Sequence, residues 1–248
     1  MKIALLGYGK MGKIIEKIAT DRKHEIVLKI DYNNLDELTT ENLAKADVAI
    51  EFSTPGTVLG NIKQCFNAGV PVVVGTTGWY NQMPQVKQIC EDGDHTLLYA
   101  SNFSIGVNVF FHVNKVLAKL MNNYPYYDVQ VEEIHHVQKL DSPSGTGITI
   151  AEGIIENLDR KKEWVNVLTT DGEETADDNI AADQLLIESF RIDSVPGTHT
   201  VLYDSEVDTI EFKHTAHNRN GFALGAVMAA EWISDKKGFH SIEDMFNF

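Results

Sequence analysis

Three glycines in the hexapeptide GYGKMG, residues 7–12, leave this chain few ways to begin folding. The spacing is G-x-G-x-x-G. Before it runs the apolar segment KIALL, and with it begins KMGKIIEKIATD, whose Ile14, Ile15, Ile18 and Ala19 share one helical face. A strand must therefore turn at once into a helix. Gly7 permits the tight turn, Gly9 lets the backbone come close to a bound group, and Gly12 lets the helix pack against the strand. The first amides of the helix then carry a partial positive charge toward whatever lies over the glycines.

The pattern continues through the first hundred residues. Apolar, β-branched runs recur at 2–7, 25–31, 47–53, 70–76 and 95–101, and most of the gaps between them have helical spacing, such as TVLGNIKQCFNAG with Gly69 as its stop. Alternating strand and helix predicts parallel strands covered by helices on both faces. About 20 residues past the glycines the second run ends in Asp31, placed to accept from a ribose 2′-hydroxyl. Motif, context and acid together point to a dinucleotide. The Asp31 carboxylate favours NADH over a 2′-phosphorylated cofactor, and Tyr32, Asn33 and Asn34 supply no cation, although Lys10 in the loop leaves NADPH open. GTTG (75–78) and ASNFS (100–104) stand at strand ends, where open α/β sheets bind ligands; contacts to the nicotinamide half and plain turns explain them equally well.

With 36 acidic and 21 basic residues the formal charge is −15. That argues against a non-specific nucleic-acid partner, which requires a basic face, and it means that an anionic substrate must be held by a local positive site. Cys65 and Cys90 suggest neither a disulfide framework nor a zinc set and read as free thiols of a reducing cytoplasm. Glycine breaks the apolar N-terminus too early for a signal peptide, and no run approaches a membrane span, so a cytoplasmic protein without membrane contact is expected. The acidic DGEETADD at 171–178 reads as a solvated loop.

After about residue 104 the texture changes. A long amphipathic stretch, VNVFFHVNKVLAKLMNN, precedes the alternating strand YDVQVEEIHH, in which Val129, Val131 and Glu133 share one side. A helix is expected at about 145–158, then strands near 185–192, 198–205 and 207–216, and a closing helix, NGFALGAVMAAEWISD. This predicts a second, α+β domain with a mixed or antiparallel sheet. Pattern alone does not say to which domain the last helix belongs.

Between the two textures of the second half lies HHVQKLDSPSGT, residues 135–146. Ser144 is suited to cap the helix that Gly145 and Thr146 begin, and free amides at a helix start bind carboxylate. Lys139 adds a full charge, and an imidazole stands beside it to move a proton. A strand-end histidine alone is most often satisfied polar structure, and PSGT alone an ordinary capped helix; their concurrence downstream of a dinucleotide fold favours function. No metal is expected, because no third ligand lies at zinc-like spacing and His112, His214 and His217 are scattered.

GYGKMG, EFSTP, VVVGTTG, ASNFSIGVNV, E-x-HH-xx-K-x-D-x-PSGT and NGFALGAVMAAEW occur here in order, and in this the chain resembles the 4-hydroxy-tetrahydrodipicolinate reductase (dihydrodipicolinate reductase) family of lysine and diaminopimelate biosynthesis. The resemblance covers most of the chain. It implies that His135 gives or takes the proton, with Lys139 as second donor and anion contact. It implies that His136, Ser144, Gly145 and Thr146 bind a small dicarboxylate. Gly7, Tyr8, Gly9, Lys10, Met11, Gly12, Asp31, Gly75, Thr76, Thr77, Ala100, Ser101, Asn102 and Phe103 would bind the cofactor. It further implies a Rossmann-type domain of residues 1–103 completed by 217–248, a substrate and oligomerisation domain of 104–216, and a homotetramer. This chain departs from the family in having Val137 and Gln138 where many members carry a further base. FRIDSVPGTH also replaces a glycine-richer loop, keeping Arg191, Gly197 and His199 but leaving open whether Arg191 touches substrate.

The expected chemistry is therefore hydride transfer from a nicotinamide to a conjugated cyclic imine, with the proton from His135, or from Lys139 through it, and the two domains closing on substrate. An imidazole with an ordinary pKa of ~6.5 keeps both forms available near neutrality. The alternatives are a reductase of another small acid and a non-catalytic dinucleotide-binding redox sensor, which has no need of His135, His136 and Lys139 together.

Overall fold

A computed structural model describes residues 1–170, 173–174 and 180–248. In chain order the elements are β1 (Lys2–Leu6), α1 (Lys10–Asp21), β2 (Glu25–Ile30), α2 (Thr40–Leu43), β3 (Val48–Glu51), α3 (Val58–Asn67), β4 (Val72–Val74), α4 (Met83–Asp92) and β5 (Thr96–Tyr99). There follow α5 (Ile105–Met121), β6 (Asp128–His135), α6 (Gly145–Ile155), β7 (Glu163–Thr170), β8 (Glu173–Glu174), β9 (Gln184–Arg191), β10 (Thr198–Asp204) and β11 (Thr209–Thr215), and then α7 (Asn220–Ile233), β12 (Gly238–Ser241) and α8 (Ile242–Phe246). The fold is α/β, with two compact units: Met1–Ile105 with Arg219–Phe248, and Gly106–Asn218.

The first unit is built on a Rossmann-type parallel sheet of order β12-β5-β4-β3-β1-β2. Alternate residues of β1 enter different cores: Ala4 and Leu6 pack with α3 and Trp79, Ile3 and Leu5 with α1 and α7. Helices thus cover both faces, which is why the central strands β1, β3 and β4 are buried along nearly their whole length. The small residues of α7, Ala223, Gly225, Ala226 and Ala229, allow close approach, and a Cβ on Gly225 would lie 1.7 Å from the Phe103 carbonyl oxygen. Strand order reverses between β1 and β3, and ligands of such sheets bind beyond the strand ends at that point. The edge strand β12, parallel to β5, was not expected from the sequence.

The second unit holds a mixed sheet, β11-β10-β6-β9-β7-β8. β6, β9 and β7 run parallel, while β10 and β11 continue antiparallel. α5 and α6 cover one face, around Val129, Val131, Ile150, Leu185, Ile187 and Val201. The strand β7 was also unexpected. Of the acidic stretch read as a solvated loop, Glu173–Glu174 pair with Thr169–Thr170 as a short strand, and the rest lies outside the described residues.

Candidate active site

Within the first unit, Gly7 has φ +98°, and a Cβ there would stand 2.0 Å from the Phe52 carbonyl oxygen. The turn after β1 is thus pressed on the end of β3. A Cβ on Gly12 would lie 2.5 Å from the Gly7 carbonyl oxygen, whereas one on Gly9 would meet nothing within 4 Å. Over that open backbone lies a cavity of about 450 Å³, lined by Gly9–Met11, Phe52, Ser53, Pro55 and Gly75–Thr77. An open cradle at the first amides of α1 fits a pyrophosphate.

The other candidate cofactor residues flank the same strand ends. Tyr8 donates its hydroxyl to Glu16 and carries the Lys29 ammonium 5.0 Å over its ring. Asp31, just past β2, accepts the Asn33 amide at 2.7 Å. Thr76 is buried and its Oγ1 accepts the Ser53 amide at 2.8 Å, which ties the β3 and β4 loops together, while Thr77 is exposed. Ala100 is buried, Ser101 is exposed, and Asn102 Oδ1 accepts the Ser104 amide at 2.8 Å. The Phe103 ring packs in the core, 5.7 Å from that of Phe52, so its backbone is what it can offer a cofactor. Beneath these loops Glu51 is fully buried, accepting from the Ser53 hydroxyl and from Asn61 Nδ2 at 3.0 Å. Burial pushes its pKa up, against the hydrogen bonds of Ser53, Thr76 and Asn61.

In the second unit, alternation along β6 turns Val129, Val131, Glu133 and His135 to the buried side. Strand register does the rest. Glu133 stands beside Ser189 on β9 and opposite His199 on β10, and His135 stands beside Arg191. Both Glu133 oxygens lie 3.0 Å from the Ser144 amide nitrogen. Oε1 also accepts from Ser189 Oγ at 3.0 Å and from Arg191 at 3.3 Å. Oε2 faces His199 Nε2 at 3.7 Å and His135 Nδ1 at 3.8 Å. Arg191 further donates to the carbonyls of Phe190 (3.0 Å) and Asp141 (2.7 Å), so its guanidinium is engaged within the protein.

Ser144 is the N-cap of α6. Its Oγ accepts the Gly147 amide at 3.0 Å and lies 3.1 Å from His199 Nε2. Its amide and hydroxyl are therefore occupied by the protein, whereas the amides of Gly145 and Thr146 have no acceptor among the described residues. His136 follows the end of β6, half-buried, and its carbonyl accepts the Lys139 amide at 3.0 Å. Lys139 Nζ lies 2.8 Å from both oxygens of Asp141.

The electrostatics correct one expectation. Burial pushes the His135 pKa down to about 4; Glu133 pulls it upward, but His199, Lys139 and Arg191 push it down further. His135 is thus neutral at pH 7 in this structure and not poised between its two forms. Glu133 is held at about 2: burial would raise it, but His199, Ser144 and His135 outweigh burial. At neutral pH the site combines a permanent carboxylate, a neutral imidazole and two free amides.

Two other chemistries are poorly served by this cluster. Ligand atoms of Glu133, His135 and His199 lie within 4.8 Å of one another, close enough for a metal. The carboxylate already faces the Arg191 cation, however, and a divalent ion would sit against it. Nor do Ser144, His199 and Glu133 form a nucleophilic relay, because serine and carboxylate both approach the same imidazole nitrogen, Nε2.

Glu133, Ser189, His199 and Glu51 were not among the candidate site residues. For Glu133 the sequence did hold a signal: an acid at an inward position, two residues before His135, on a strand whose other inward residues are valines. His199 was noted only as a retained residue of the FRIDSVPGTH loop, and its place beside Glu133, like that of Ser189, becomes visible only through strand register.

Family models described as "Dihydrodipicolinate reductase, N-terminus" and "Dihydrodipicolinate reductase, C-terminus" match residues 1–103 and 106–246. The chain is 47% identical over 249 residues to a 4-hydroxy-tetrahydrodipicolinate reductase of Christiangramia forsetii, with 100% of this chain and 98% of that protein covered. It is 33% identical to one of Methanobrevibacter smithii, covering 95% and 94%. Among solved structures it is similar to the dipicolinate-bound dihydrodipicolinate reductase of Paenisporosarcina sp. TG-14, with TM-score 0.76, 25% identity and 97% of each chain covered. With family matches over nearly its whole length, this chain belongs to the dihydrodipicolinate reductase family.

Proposed function

We propose that the chain reduces 4-hydroxy-tetrahydrodipicolinate to tetrahydrodipicolinate in lysine and diaminopimelate biosynthesis, with NADH as the preferred cofactor and NADPH as a second. Family membership supports the reaction. The observation that supports the residue assignment is that β6, the loop after it and the start of α6 carry His135, His136, Lys139 and the free amides of Gly145 and Thr146, with the start of α6 and His135 set against the buried Glu133 carboxylate. A relative that binds dipicolinate, a flat ring with two carboxylates, supports the substrate class.

When bound, the reduced nicotinamide supplies the hydride. The Gly7–Gly12 turn and the first amides of α1 hold the pyrophosphate, and Asp31 accepts from the ribose hydroxyl, which disfavours a phosphate there. Gly75–Thr77 and Ala100–Phe103 line the nicotinamide half. Lys139, His136 and the Gly145 and Thr146 amides hold the substrate carboxylates and stabilise negative charge that develops on the ring. Neutral His135 is ill suited to be the resident acid of the free enzyme. Lys139 supplies the proton through it, and the charge of the incoming dianion raises the His135 pKa toward the working range. The homotetramer belongs to this reading. Leu186, Glu188 and Phe190 of β9 alternate with core-facing Leu185, Ile187 and Ser189 and so turn to the sheet face away from the helices.

The test is a coupled assay in which dihydrodipicolinate synthase makes the substrate from pyruvate and aspartate semialdehyde while nicotinamide absorbance is followed. Substrate-dependent oxidation, faster with NADH than with NADPH, is expected; cofactor binding without turnover would sink the reading and favour the sensor. Light scattering tests the tetramer.

A further inference from the structure

We infer that Glu133 is the positioning residue of the proton-transfer site: its carboxylate fixes the start of α6 and orients the His135 and His199 imidazoles without touching substrate. The inference rests on the reading above for its rate measurements only.

The geometry makes Glu133 the point where the second unit's site converges. It is fully buried on the inward face of β6; the Ser144 amide at the start of α6 and Ser189 and Arg191 on β9 donate to it, and His199 on β10 faces it at 3.7 Å. Its two oxygens divide the work. Oε1 takes Ser189 and Arg191, which lock the carboxylate plane, and this leaves Oε2 facing the two imidazoles. A Cβ on Gly147 would lie 2.9 Å from Oε2, so the glycine in the first turn of α6 is what admits the carboxylate.

Two consequences follow for the anion site. By taking the Ser144 amide, Glu133 sets which amides of the helix start remain for a ligand, namely those of Gly145 and Thr146. A carboxylate behind an anion site also repels the anion, and Arg191 compensates: 3% exposed at the side chain and bonded to Glu133 and the Asp141 carbonyl, it neutralises the hub and braces the Lys139–Asp141 loop. This gives Arg191 a role without substrate contact.

The charged and titratable groups facing His135 are Glu133 on its own strand, His199 on β10, Arg191 on β9 and Lys139 on the following loop. Of these, Glu133 alone raises its proton affinity. At 3.8 Å the carboxylate makes no hydrogen bond to His135 Nδ1, but its charge favours the tautomer with hydrogen there, which leaves Nε2 to exchange a proton.

The experiment compares wild type with Glu133→Gln and with the double variant Glu133→Gln/Arg191→Met, which leaves no lone buried charge if the single variant folds poorly. Rates against pH, NADH affinity by fluorescence and imidazole ¹⁵N shifts are measured on each full-length protein. Expected are a loss of kcat/KM of about 100-fold in both variants, unchanged NADH affinity, a His135 titration moved to lower pH in Glu133→Gln, and mixed His135 tautomers in both. Wild-type turnover and tautomer retained in the variants would overturn the inference. If wild type itself shows no turnover, the proposed reaction fails, and the ¹⁵N shifts still decide the role of Glu133.

Discussion

Gly197 is pressed against the His135 imidazole: a Cβ added to it would lie 3.1 Å from Nε2 and 3.3 Å from Cδ2. Its φ of +152° also disfavours any L side chain. Gly197→Ala therefore strains the backbone by about 1–3 kcal/mol and displaces the imidazole. The expected result is a lower denaturation midpoint and a large fall in kcat, with NADH affinity unchanged because the glycine loop lies in the other unit. Urea denaturation and steady-state kinetics on the one variant check both.

Stability should respond to acid through His135. The folded imidazole titrates near 4 and the unfolded one near ~6.5, so between these values the unfolded chain binds more protons. The contribution is complete above the unfolded pKa and is lost as pH falls to the folded one, by about 3 kcal/mol for this residue alone. Glu133, depressed to about 2, has the same sign at lower pH: its contribution is present above the unfolded carboxylate value and disappears as pH falls toward 2. Denaturation from pH 7 to 4 should thus show a steeper loss in wild type than in His135→Gln. Parallel curves would mean that burial does not depress the histidine.

Much of this was legible in the sequence where a local rule governs. KMGKIIEKIATD reads as α1, residue for residue, because its apolar period is helical and a glycine turn fixes its start. Alternation in β6 puts Glu133 with the valines, and the Ser144 cap lies where PSGT suggests. What escaped depends on partners distant in sequence. β12 is the four-residue GFHS, led by glycine, and becomes a strand because β5 offers it an edge. β7, EWVNVLTT, lacks a clean alternation, and most of it is half-buried. The convergence on Glu133 needs the register of β6 with both β9 and β10. The neutral state of His135 needs the burial that this register creates, and a reference pKa contains neither.

Gly12→Ala should separate cofactor binding in the first unit from the state of His135 in the second. Its Cβ would meet the Gly7 carbonyl oxygen at 2.5 Å, an atom of the backbone turn that cannot move aside cheaply. NADH affinity should fall tenfold or more, about 1.4 kcal/mol, while the His135 ¹⁵N titration stays as in wild type. Isothermal titration and NMR on the same sample decide it.

Asp31→Ser should shift cofactor preference. Removing the carboxylate deletes an acceptor for the ribose hydroxyl and a charge that repels a 2′-phosphate. The ratio of kcat/KM for NADPH to that for NADH should rise by about tenfold, with most of the change in KM. An unchanged ratio would place the adenosine ribose elsewhere.

The most direct test of the central claim is turnover set beside cofactor binding in His135→Gln and Lys139→Ala. The account predicts a fall in kcat of roughly 10²–10⁴-fold in each, with the NADH dissociation constant within about twofold of wild type. Undiminished turnover in either variant, or a loss of NADH binding that accounts for the loss of rate, would contradict it.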